Sequence, residues 1–150
     1  MSGSLPPVPE FEVDTSWPKP LASGAPLELS DISGLHVDAA DGDAVWLIHR
    51  YRSASNAHGL PPVLKLSAGG DVLAGWGGAE AAANASHDWP ENEHGVFVDH
   101  AGAVWVCGGL PHEAGSPLRF PPPELVHDRF VLKFDADGRL LMQLGAPFAG

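Results

Sequence analysis

The chain repeats itself, and an internal repeat restricts the possible folds more than any single motif does. SGLHVDAADGDAVWLIHR (33–50) aligns with EHGVFVDHAGAVWVCGG (93–109). Each has Gly, an alternating apolar stretch ending in Val-Asp, a short turn, then Ala-Val-Trp and a second apolar stretch. PVLKLSAGGDVLAGWGG (62–78) aligns with FVLKFDADGRLLMQLG (130–145) through Val-Leu-Lys-apolar, a small polar turn with Gly, and a second stretch ending in Gly. The order is A, B, A′, B′, with a period of roughly 60 to 68 residues between matched positions, against about 40 for the shortest propeller repeats.

Each half-unit reads as a hairpin. Val96-Phe97-Val98 and Val104-Trp105-Val106 alternate with period two, as strands packed on both faces do. The turns DHAG, SAGG and DADG supply residues that tolerate positive φ. Two hairpins make a four-stranded sheet, and such sheets in tandem are the unit of a β-propeller. The expected fold is therefore all-β, a partial propeller of about two four-stranded blades. Its parts are an N-terminal extension and lead-in strand (1–32), a first blade (33–78), a linker (79–92) and a second blade (93–150) with a long inserted loop (109–128). That loop and residues 51–62 are rich in Pro, Gly and His, and long irregular loops in compact domains are often functional. Two blades do not close a ring, since propellers have four to eight. A fragment, or several copies assembling, is expected. The uncovered terminal sheet faces imply self-association.

The formal charge of -11 argues against a nucleic-acid or anionic-membrane surface, because phosphate binding needs clustered Lys and Arg. The single cysteine, Cys107, excludes an internal disulfide, and its apolar alternating context predicts a buried, inert thiol. No apolar run approaches the roughly 18 residues of a membrane span. The start, MSGSLPPVPEFEVD, lacks a basic segment followed by an apolar one, so a soluble, cytoplasmic chain or a piece of something larger is expected. Asn84-Ala85-Ser86 forms a glycosylation sequon, meaningful only in a secreted eukaryotic chain.

FEVDTSWPKP, SGLHVD, VWLIHR, VLKLSAGGDVLAGWGG and DWPENEHGVFVDHAGAVWVCGG together resemble the NHL-repeat propellers. More specifically, they resemble the branch related to peptidyl-α-hydroxyglycine α-amidating lyase, a family often secreted. The resemblance implies a six-bladed propeller with zinc near its axis, held by three histidines from different blades, and calcium in the central channel. It implies cleavage of a peptidyl-α-hydroxyglycine to a peptide amide and glyoxylate. Matched by motif, His94 is the candidate zinc ligand. Val96 and its counterpart Leu35 would lend backbone carbonyls to calcium, and Arg50 is the candidate active-site arginine. A neutral imidazole suits zinc, and a guanidinium suits the carboxylate of a C-terminal hydroxyglycine. The remaining zinc histidines and the family's tyrosine have no counterpart here, Tyr51 being elsewhere, so the chain alone is expected to be inactive. The alternatives are a non-catalytic module that binds a protein or peptide, and a structural fragment without independent function.

Other residues have plainer readings. His36 and His49 are expected to be packed or hydrogen-bonded, and His100 to be exposed in a turn. His58, His112 and His127 lie in the long loops. Asp88, Glu91 and Glu93 either raise cation affinity near His94 or simply form an acidic loop. Trp46 and Trp105, at equivalent repeat positions, read as sheet packing, and Ser86-His87-Asp88 is not a triad, because adjacent residues on an extended chain diverge.

Overall fold

A computed structural model describes residues 8–51, 59–85, 87–109 and 129–146. The described residues form two four-stranded antiparallel sheets, each a simple meander. The first sheet contains β1 (Ile32–Asp38), β2 (Ala44–His49), β3 (Val63–Leu66) and β4 (Val72–Trp76) in that order. The second contains β5 (Glu93–Val98), β6 (Val104–Gly108), β7 (Phe130–Phe134) and β8 (Leu140–Gly145). A single 3-10 turn, Ala39–Asp41, lengthens the β1–β2 connection. The segment expected to be a plain linker carries a short helix, α1 (Ala79–Asn84), whose Ala82 is buried in the core. No helix among the described residues is long and apolar enough to cross a membrane.

The turns close as their residues dictate. Asp99 Oδ1 accepts from the backbone N–H groups of Ala101 and Ala103, and Asp135 Oδ1 accepts from those of Asp137 and Arg139. These side chains satisfy the amides that a tight turn would otherwise leave unpaired.

Residues paired across strands share a side of the sheet, so the registers assign both sides of each. In the first sheet, His36, Trp46 and Lys65 share one side with Gly34, Ile48, Val63 and Trp76. Leu35, Leu47 and Leu64 share the other with Val37, Val45, Leu66 and Val72. The first of these sides meets the second sheet. Trp46, Ile48, Val63 and Trp76 pack with Val96, Val98, Val106, Leu132 and Phe134 in one core, which also takes in Trp89. Trp76 lies 4.9 Å from the Phe134 ring and Trp89 5.9 Å from it.

Where the sheets meet, β1 and β5 come into backbone contact. A side-chain carbon at Gly34 would lie 3.1 Å from Gly95 Cα, His94 O and Val96 N. Only glycine permits that approach.

Of the two outer sides, one departs from the expected bareness. That of the first sheet is not bare, because the chain's lead-in lies over it. Leu27, Leu29 and Leu60 cover Leu47, Leu64 and Leu66. Trp17 Nε1 donates to Ala68 O, and Lys19 pairs with Asp71 at 2.8 Å. Trp17 thus caps the β3–β4 turn as Trp76 caps the β7–β8 turn, where its Nε1 donates to Ala136 O. Among the described residues, nothing comparable covers the outer side of the second sheet. Cys107 and Trp105 there are only half-buried, whereas Trp46 is 2 % exposed. Cys107 is therefore not the enclosed thiol its alternating context suggests, because alternation sets which side a residue faces but not what covers that side.

Gly34→Val should destabilise the chain by roughly 1–3 kcal/mol, because backbone on the facing strand cannot yield to a new side chain. Leu141→Ser, at an exposed position, should stay within about 0.5 kcal/mol of wild type. Urea unfolding measures both, and equal midpoints would refute the close-contact account.

Candidate functional site

The inner strands of both sheets open with the same irregularity. In β1 the register steps between Ile32, opposite His49, and Gly34, opposite Ile48, so Ser33 is skipped in the pairing and its Oγ donates to Ile48 O at 3.4 Å. In β5 it steps between Glu93, opposite Gly108, and Gly95, opposite Cys107, leaving His94 in the equivalent place. A bulge of this kind turns one side chain out of the alternating pattern. His94 is accordingly exposed, although its neighbours Glu93 and Val96 are buried.

Glycine also makes room for His94. Gly109 aligns with Arg50 of the first sheet, and a side-chain carbon there would fall 2.9 Å from His94 Cγ. The imidazole thus lies against the position that Arg50 occupies in the first sheet.

Arg50 follows β2 at the same end of the first sheet. Its backbone N–H donates to Asp31 O at 3.0 Å, and its carbonyl accepts from Ser30 Oγ at 2.8 Å. Its side chain is half-buried, and the Nε is enclosed without a hydrogen-bond partner among the described residues. An enclosed guanidinium N–H is destabilising where it lacks an acceptor. Leu35 and Val96 stand one residue beyond Gly34 and Gly95, opposite Leu47 and Val106. Their side chains differ in environment: Leu35 is exposed, whereas Val96 is buried against the first sheet.

The acidic residues before His94 do not gather around it. Glu93 is 2 % exposed and its Oε1 accepts from Trp89 Nε1 at 2.9 Å, so it ties the lead-in of the second sheet to the core. Asp88 Oδ2 accepts from Gln143 Nε2 at 2.6 Å. Glu91 is exposed. Among the described residues, no group of three or more His, Cys, Asp or Glu side chains is placed to hold a metal ion. His58, His112, His127 and Ser86 lie outside the described residues.

The other histidines follow their plainer readings. His36 is half-buried with its ring 5.0 Å from Phe97, edge to face. His49 is fully buried. Its Nε2 donates to Pro61 O at 2.9 Å and its Nδ1 lies 2.7 Å from Ser30 Oγ. His49 thereby fixes the chain on both sides of Arg50, a positioning role that its neighbour's motif concealed.

A second polar cluster lies at the β5–β6 turn. Asp99 Oδ2 accepts from Trp105 Nε1 and from Lys133 Nζ, both at 2.9 Å, and Lys133 sits 4.8 Å above the Trp105 ring. The Trp105 hydrogen bond, followed by that from Lys133, holds the Asp99 carboxyl well below the usual carboxylate range. In the first sheet Lys65 likewise lies over Trp46, but it pairs with Asp41 from the 3-10 turn. Trp46 Nε1 is left without a partner among the described residues. The cluster is structural: it ties a turn to two strands.

No protein-family model and no curated protein matches this chain.

Burial pushes the His49 pKa below its ordinary value, opposed by the Pro61 carbonyl. The unfolded chain therefore binds the His49 proton at a higher pH than the folded chain does. Stability should be fully present above about pH 6.5, and should fall as the pH drops from there towards the lowered pKa of the fold. Urea midpoints measured from pH 7.5 to 5 should show this decline, and His49→Gln should flatten it. An unchanged slope in the variant would remove His49 as its source.

Proposed function

We propose that the chain is a two-blade portion of an NHL-type β-propeller related to peptidyl-α-hydroxyglycine α-amidating lyase. On this reading it contributes part of a carboxylate-binding site and is inactive alone. The observation that carries the functional part is Arg50: a half-buried guanidinium at the end of an inner-strand hairpin, with its Nε enclosed and unpaired among the described residues. A carboxylate supplies two acceptors in the plane a guanidinium prefers. The ligand class is therefore a peptide or small molecule ending in a carboxylate, such as a C-terminal hydroxyglycine. The propeller reading is supported by two meanders of equal topology, by matching bulges at Ser33 and His94, and by contact between their first strands.

The donor set does not by itself fit a zinc centre, since His94 has no converging partners among the described residues. His94 is the histidine this chain would contribute to such a centre if further ligands came from elsewhere. Leu35 and Val96 are the corresponding candidates for a calcium ion bound through backbone oxygen. The second reading is a non-catalytic module that binds a protein or peptide.

Calorimetric titration with α-hydroxyhippurate, which carries the hydroxyglycine unit, separates these readings. Arg50→Met should weaken binding by about tenfold, the loss of one charge-assisted hydrogen bond of roughly 1.5 kcal/mol. The 150-residue chain should release no glyoxylate with or without added zinc. Binding unaffected by Arg50→Met would remove the carboxylate site and leave the non-catalytic reading.

A further inference from the structure

The repeat makes the uncovered side of the second sheet the counterpart of a side that is already covered. Phe97, Trp105 and Lys133 align with His36, Trp46 and Lys65, and Gly95, Cys107, Val131 and Leu144 align with Gly34, Ile48, Val63 and Trp76. In the first sheet those positions receive the second sheet, with β5 lying directly over Gly34. In the second sheet they face outward. Phe97, Met142 and Leu144 are about half exposed, and Gly95, Phe97, Trp105, Cys107 and Val131 line an apolar hollow of about 250 Å³. The hollow lies over Gly95, where the equivalent of β5 would cross.

The matching surface is also present on the molecule. Leu35 and Val37 of β1 align with Val96 and Val98, the β5 residues that are buried against the first sheet, yet both are more than half exposed. Leu27, Leu29 and Leu60 pack against Leu47, Leu64 and Leu66, while these two stay exposed.

We infer that the outward side of the second sheet binds a second copy of this chain, head to tail, through the β1 edge of that copy. Leu35 and Val37 of one molecule seat on the hollow over Gly95 of the next, reproducing between molecules the contact that Gly34 and β5 make within one. Contact centres on the inner strands, because Trp17 of the second copy already holds the corner that Leu144 would approach. The interface is heterologous, so each molecule offers one surface of each kind. This inference is independent of the carboxylate site.

Sedimentation and light scattering across a concentration series test it with exposed-position variants whose folding is checked by circular dichroism. Wild type should associate with rising concentration. Phe97→Glu on the outward side and Val37→Glu on the β1 edge should each weaken association by about tenfold or more, since either buries a charge in an apolar contact. Mixing the two variants should restore dimers and nothing larger, because one intact surface of each kind remains. Wild type that stays monomeric throughout would overturn the proposal. Association weakened by Phe97→Glu but untouched by Val37→Glu would also overturn it, because it would indicate a symmetric contact between two outward sides.

Discussion

The structure depends on the contact between Gly34 and the Gly95 backbone. Two pleated sheets pack about 10 Å apart when side chains interdigitate between them, but here the first strands approach to backbone distance while the outer strands splay around Trp76, Trp89 and Phe134. A wedge-shaped interface follows, narrow at β1 and β5 and filled by aromatic rings towards β4 and β8. The bulges at Ser33 and His94 sit beside the same contact and turn one side chain out of each inner strand at its narrow edge.

The fold was largely legible in the sequence because its signals are local and occur twice. Val-Phe-Val and Val-Trp-Val set strand alternation, and the side chains of Asp99 and Asp135 set turns by accepting from backbone amides two and four residues on. The repeat then fixed four strands per unit. Cover was not legible. Nothing in the pattern around Leu27 and Leu29 shows that they lie over Leu64, because that placement depends on contacts distant in the chain. The half-exposure of Cys107 is hidden from the sequence for the same reason. The helix Ala79–Asn84 was missed because, at six residues, it lacks the periodic length that distinguishes a helix from a linker.

The candidate site was legible only in part. The bulge that turns His94 outward leaves no compositional mark beyond a glycine after it, and Gly109, which makes room for its ring, reads as an ordinary strand end. Glu93 shows the opposite error. Next to Glu91 and His94 it reads as part of a cation-binding cluster or of an acidic loop, but the step in register sends it into the core towards Trp89. Adjacent residues on a strand face opposite ways, so proximity in sequence counts against shared ligation here.

What the repeat leaves unequal is the best guide to function. Equivalent positions that keep the same residue, such as Lys65 and Lys133 over their tryptophans, maintain the sheets and would be needed in any copy of the unit. Positions that differ without a structural reason are free to serve a ligand. Ser33 and His94 occupy equivalent bulges, yet one bears a hydroxyl and the other an imidazole. Arg50 and Gly109 occupy equivalent strand ends, yet one carries a guanidinium and the other no side chain. The half-buried arginine has an Nε without a partner among the described residues, an arrangement that lowers stability unless an acceptor is supplied, and a glycine takes its place in the second sheet. The arginine therefore makes physical sense where an acceptor arrives from outside, and that asymmetry, more than the histidine count, marks this edge of the molecule as the place to look for a ligand.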